Sequence, residues 1–185
     1  GYGHSLALKT DGSITSWGKD SQNQVTDTPA GTGFAAVAAG AHHSLALKAD
    51  GSIVSWGDDD YDQVTDTPTD TDFVAVAAGY HHSLALKTDG SIVSWGEDNV
   101  DQVTDTPAGT DFIAVAGGWY HSLALKADGS IVSWGYDAYD QVTDTPAGND
   151  FVAISGGAYH SLALKDGSIV SWGRDTSLQV TNTPA

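Results

Sequence analysis

Five histidines recur at one interval: His4, His43, His82, His121 and His160 each open the run HSLALK, each 39 residues after the one before. Imidazole is a general base and a metal ligand, so a ring of equivalent histidines raises the prospect of a shared ion. Zinc holds nitrogen ligands at about 2.0–2.1 Å, and equivalent side chains on separate repeats stand too far apart for that outside a very narrow channel. The spacing favours a structural part, bonding backbone groups where strands meet the turn. A second candidate is the acidic run Asp58-Asp59-Asp60-Tyr61-Asp62, with oxygen ligands of the kind calcium takes. It lacks the alternating carboxylates and central glycine of a calcium loop. Asp20, Asp59, Asp98, Asp137 and Asp175 instead recur singly at one place in the repeat, as turn-forming residues do. Paired carboxylates for glycoside hydrolysis need one partner in an apolar setting, and these loops are polar throughout. The chain carries no nucleophile elbow, phosphate loop or dinucleotide fingerprint. These residues imply no cofactor, no metal and no enzyme.

The elements that position them follow from the same period. Trp17, Trp56, Trp95, Trp134 and Trp172 recur at steps of 39, 39, 39 and 38. A fixed period of this length marks a solenoid, propeller or array, and 39 residues bury too little apolar surface to stand alone. HSLALK alternates as a strand does, with Leu45 and Leu47 on one side and Ser44, Ala46 and Lys48 on the other. SIVSW alternates likewise. Between them Ala49-Asp50-Gly51 predicts a three-residue hairpin loop, and Asp166-Gly167 in the fifth copy a two-residue turn. QVT reads as a short third strand, ended by Pro29, Pro68, Pro107, Pro146 and Pro184. FVAVAAG, built of small residues, reads as a strand crowded against an axis. The expectation is an all-β β-propeller of about five four-stranded antiparallel blades. It forms a single domain over 1–185, with repeats at about 1–30, 31–69, 70–108, 109–147 and 148–185 and the first blade incomplete. The chain opens on Gly1 with no methionine, so its numbering is expected to start inside a longer or processed product.

The run Val37-Ala38-Ala39-Gly40-Ala41-His42-His43-Ser44-Leu45-Ala46-Leu47, followed by DGSIVSWG, resembles the repeat of the regulator of chromosome condensation (RCC1) family of propellers. The likeness covers the whole chain and is similar to the compact bacterial form of the repeat. It implies a propeller of that type, in a family whose activities range from nucleotide exchange on a small GTPase to enzyme inhibition and photoreception, mostly by protein recognition. The family's WG-x-N-x-x-GQLG becomes WG-x-D-x-x-DQVTD in three copies here, with Asp59, Asp98 and Asp137 in place of asparagine. No insertion resembles the nucleotide-exchange wedge, and the tryptophan clusters of the photoreceptor branch are missing, so neither activity carries over.

Of the 185 residues 24 are acidic and 7 basic, a formal net charge of −17, which repels a phosphate backbone and excludes nucleic acid as a partner. Such a surface suits high salt, and copying one acidic unit also produces it. No apolar run approaches a membrane span. There is no cysteine, which leaves the compartment open; a secreted or cell-surface setting is favoured over the cytoplasm. The oligomeric state is open.

Function must lie where the copies differ. In an up-and-down blade the FVAVAAG-to-HSLALK turn and the loop after SIVSWG share one face, while the Asp-Gly hairpin and TDTPAG share the other. The second face is nearly constant between copies. The first carries Tyr2, His42, Tyr80, His81, Trp119, Tyr120 and Tyr159 in its turns and Lys19, Tyr61, Tyr136, Tyr139 and Arg174 in its loops. Aromatic anchors on a rigid scaffold compose a binding surface. These residues are expected to bind a protein partner, with a glycan as the alternative ligand and a ligand-free structural repeat as a further one.

Overall fold

The computed structural model describes residues 1–184. Its strands, in order, are β1 (His4–Leu8), β2 (Ile14–Gly18), β3 (Phe34–Ala39), β4 (His43–Lys48), β5 (Ile53–Gly57), β6 (Phe73–Ala78), β7 (His82–Lys87), β8 (Ile92–Gly96), β9 (Phe112–Gly117), β10 (His121–Lys126), β11 (Ile131–Gly135), β12 (Phe151–Gly156), β13 (His160–Lys165) and β14 (Ser168–Gly173). They form four antiparallel three-stranded sheets, β3-β4-β5, β6-β7-β8, β9-β10-β11 and β12-β13-β14, and a two-stranded sheet β1-β2. The sheets stand side by side in propeller fashion without merging into a closed sheet. About five four-stranded blades were expected, and both the strand number and the count of complete blades are corrected.

The missing fourth strand has a local cause. QVT is a turn of helical character, because Asp98 Oδ1 accepts the Val103 and Thr104 amides at 2.7 and 2.9 Å. Asp105 N then reaches the Asp101 carbonyl and Thr106 N the Val103 carbonyl, both at 3.1 Å. Those donors are spent locally and none remains for a ladder. The Thr106 hydroxyl, 2.7 Å from Ser94 Oγ, fastens the turn to the strand β8 that precedes it.

The hairpins form as their sequences demand. Lys48 N bonds Ser52 O at 2.9 Å around a loop whose Gly51 has φ of 82°. In the fifth unit Asp166 (φ 52°) and Gly167 (φ 80°) are both left-handed, the signature of a two-residue type I′ turn.

The core lies between sheets. Leu45 and Leu47 face Phe73, Ala85 and Trp95 of the next sheet, while Ala46, on the other side of β4, packs with Leu6 and Leu8 of the previous one. Alternation thus buries both faces of the middle strand, at about 1.5–3 kcal/mol for each fully buried leucine. The indole of Trp95 also donates to the Gln63 carbonyl of the preceding unit at 3.0 Å, as Trp56, Trp134 and Trp172 do to Gln24, Gln102 and Gln141. Trp17 differs from the other four tryptophans of this series: it is 53% exposed where they are 4%. Nothing of a preceding sheet covers it among the described residues.

Four of the histidine rings lie within hydrogen-bond distance of serine hydroxyls of the next unit, not of the backbone groups expected. His43 Nε2 lies 2.9 Å from Ser83 Oγ of the next unit, and His4, His82 and His121 meet Ser44, Ser122 and Ser161 at 2.8–2.9 Å. Each ring lies against the glycine three residues before it; a Cβ at Gly40 or Gly79 would overlap the ring of His43 or His82. That close approach is why each complete HSLALK is preceded by glycine. Burial pushes His43 and His82 down to about 3 and His121 to about 4.

Candidate binding face

The turns between inner and middle strands converge on the axis and bond one another there. Tyr80 N donates to the Trp119 carbonyl at 2.9 Å, Trp119 N to the Ala158 carbonyl at 3.2 Å, and Ala41 N approaches the Gly79 carbonyl at 3.3 Å. They surround a central cavity of about 450 Å³ lined mostly by glycine and alanine, with Tyr2 and Trp119 at its rim. The small residues of FVAVAAG allow this crowding. The outer loops are fixed by their aspartates: Asp59 Oδ1 accepts the Val64 and Thr65 amides at 2.7 and 2.9 Å. The Thr26 hydroxyl, followed by the Thr26 and Val25 amides, holds the Asp20 carboxyl below its ordinary value. These carboxylates are engaged by amide and hydroxyl donors.

On this frame the variable aromatic residues form one continuous surface. Tyr2 sits 6.0 Å from His42 and 6.2 Å from Trp119, and Tyr80 lies 5.6 Å from His42 and 5.2 Å from Trp119, ring centre to ring centre. Tyr80 stacks on Tyr120 at 5.4 Å with 27° between planes, and Trp119 meets Tyr159 edge-on at 5.4 Å. Tyr120 continues to Tyr136 at 6.2 Å, Tyr136 to Tyr139 at 6.1 Å, and Tyr61 packs on His81 at 4.9 Å. The guanidinium of Arg174 lies 5.1 Å above Tyr139 and 5.4 Å above Tyr159. Lys19 stands at the edge, its amide bonded to the Gly3 carbonyl at 2.7 Å. Each of the twelve residues singled out in the sequence falls on this face. Burial, then the nearby Lys19 and His81 charges, lower His42. Burial, then the neighbouring tyrosines, raise Tyr120 and Tyr159.

Two carboxylates also lie here: Asp58, named above only as part of the acidic run, and Glu97, which the sequence did not single out. The residue after each WG is Lys19, Asp58, Glu97, Tyr136 or Arg174, and all five occupy equivalent places on the face. Asp58 is buried and satisfied: Gln22 and Gln63 donate to it at 2.6 and 2.8 Å, and His81 Nδ1 lies 3.3 Å away. Glu97 is only 8% exposed, accepts from Asn99 Nδ2 at 2.8 Å through Oε1, and leaves Oε2 without a partner. The signal was the variation of charge at one repeat position.

Side-by-side sheets, interblade tryptophans and a single variable face define a propeller-type repeat protein. The pattern of the regulator of chromosome condensation (RCC1) repeat matches residues 1–24, 34–63, 73–102 and 112–141, more than half of the chain, and the protein belongs to that family. The ectodomain of the receptor kinase CR4 from Physcomitrella patens superimposes with a TM-score of 0.79 at 22% identity, over 98% of this chain and 52% of that one. Saccharomyces cerevisiae Prp20p, described with its binding to Gsp1p and histones, gives 0.73 at 21% identity, over 93% and 56%. Yeast RCC1 (Prp20) with Kap60 bound gives 0.75 at 21% identity, over 94% and 55%. At these identities the likeness is one of fold, and the chain spans little more than half of each structure. No curated protein sequence matches the chain.

Proposed function

We propose that this protein is a non-catalytic recognition module that binds a protein partner through the aromatic face. The observation that carries the reading is the run of rings from Tyr2 through Tyr80, Trp119 and Tyr159 to Tyr139, contributed by successive repeats on one side only. Rigid aromatic side chains contribute contact area at low entropic cost. The relatives described with Gsp1p, histones and Kap60 favour a protein over a sugar. The single-domain reading over 1–185 belongs to this proposal, with core clusters crossing each boundary between neighbouring repeats. A net charge of −17 disfavours nucleic acid.

The test pairs a glycan array with cross-linking capture of protein partners. The variant Trp119→Ala/Tyr80→Ala/Tyr120→Ala, checked for its melting temperature, should lose the captured protein. Thr69→Ala/Ala108→Ser/Ala147→Ser, in the opposite connections, should retain it. Array hits abolished by the first variant would assign the face to a lectin, and loss in the second would move function to the other side.

A further inference from the structure

Glu97 is an acidic side chain buried beside aromatic rings with one oxygen unsatisfied. Together with Asn99, Val100, Tyr120, Tyr136 and Tyr159 it lines a cavity of about 210 Å³ that opens on the aromatic face. Burying a carboxylate without a compensating charge is costly, and Oε2 has no hydrogen-bond donor among the described residues. Tyrosine rings attract cations through their faces, and such attraction strengthens where water is excluded. A carboxylate set among tyrosines is complementary to an organic cation.

The protein makes the same arrangement with its own side chains elsewhere. Lys87 Nζ lies 5.4 Å over Phe73 and 2.7 Å from Asp70, and Lys126 lies 5.4 Å over Phe112 and 3.2 Å from Asp111. Next to the cavity the Arg174 guanidinium already rests on Tyr139 and Tyr159, held by a 2.9 Å bond from its Nε to Thr176 Oγ1. Glu97 has the carboxylate and the rings, and no cation among the described residues pairs with it.

We propose that this cavity receives a lysine or arginine side chain of the protein partner, its ammonium or guanidinium meeting the Glu97 carboxylate between Tyr120, Tyr136 and Tyr159. The inference rests on the reading of the face as protein-binding and adds the chemistry of the anchor: a basic segment, recognised by one inserted cation. Asp58 cannot serve in the same way, because His81, Gln22 and Gln63 already engage it.

The experiment titrates the whole protein with acetyl-Gly-Lys-Gly-amide and with its arginine, trimethyllysine and norleucine versions, following amide shifts of Glu97, Tyr120 and Tyr136 by NMR. Saturable shifts are expected with the three cationic peptides and none with norleucine. Glu97→Gln, which keeps the shape and the bond to Asn99, should weaken the cationic peptides by about tenfold or more at an unchanged melting temperature. Equal binding of norleucine and lysine would overturn the proposal, as would an unchanged affinity in Glu97→Gln, which would mark diffuse attraction to an acidic surface. Choline, a free quaternary ammonium ion, binding more tightly than every peptide would overturn the protein source of the cation. If the Trp119/Tyr80/Tyr120 variant loses a protein partner while Glu97→Gln keeps it, the cation site alone falls.

Discussion

Trp95 Nε1 donates to the carbonyl of Gln63 across 3.0 Å, and this bond ties the outer strand of one sheet to the loop of the sheet before it. Gln63 is itself fully buried, its Oε1 accepting the Tyr61 amide at 2.9 Å, so one contact joins the apolar core to the loop that carries a face residue.

Trp95→Ala should therefore lower stability by about 3–5 kcal/mol, the range for a core aromatic. Trp17→Ala, at the exposed equivalent position, should cost about 1 kcal/mol or less. Urea unfolding midpoints of the two variants, measured side by side, check this. Equal losses would show that Trp17 is covered in solution.

Acid should loosen the stack before the carboxylates titrate. His43 and His82 fall to about 3 and His121 to about 4 through burial, from an ordinary value of 6.5. The folded state then binds fewer protons than the unfolded one below pH 6.5. Stability is fully present above that value and declines as pH falls, by about 1.4 kcal/mol per histidine for each pH unit. Relief of carboxylate repulsion acts in the opposite sense only nearer pH 4. Melting temperatures between pH 7 and 5 should fall, and His82→Gln should flatten the slope; a rise on acidification would contradict the burial of these rings.

One loop position carries stored strain. Asn23, Asp62, Asp101, Asp140 and Leu178 share a left-handed backbone, with φ of 58° to 62°. The family pattern has glycine there. Asparagine and aspartate tolerate that region and leucine does not, so Leu178→Asn should raise stability by about 1 kcal/mol. Thermal unfolding reads it out, and a loss of stability would mean that the half-exposed leucine packs on a neighbour.

The net charge of −17 predicts a dependence on ionic strength. The lysine–aspartate pairs are exposed and contribute little, so screening of repulsion should dominate and stability should rise from low to molar sodium chloride. Indifference to salt would indicate that an acidic repeat was copied without adaptation.

The sequence alone determined the repeat, its strands and both hairpin types, because Leu45-Ala46-Leu47 alternation and the Asp-Gly loops act over a few residues. It also determined which face varies, since chain direction reverses at each hairpin. The failure at QVT was of another kind: β-favouring residues were read as a strand, while Asp98, five residues before Val103, captured the amides a ladder needs. Only the tertiary structure decided that Trp17 stands open while Trp95 is enclosed, for closely similar local sequences differ by what lies beside them. It alone brought Glu97 against Tyr120 and Tyr136 of the next repeat and Tyr159 of the one after. Whether a buried carboxylate has a partner depends on which side chains neighbouring sheets carry to it, and that is a property of packing across the axis rather than of any stretch of chain.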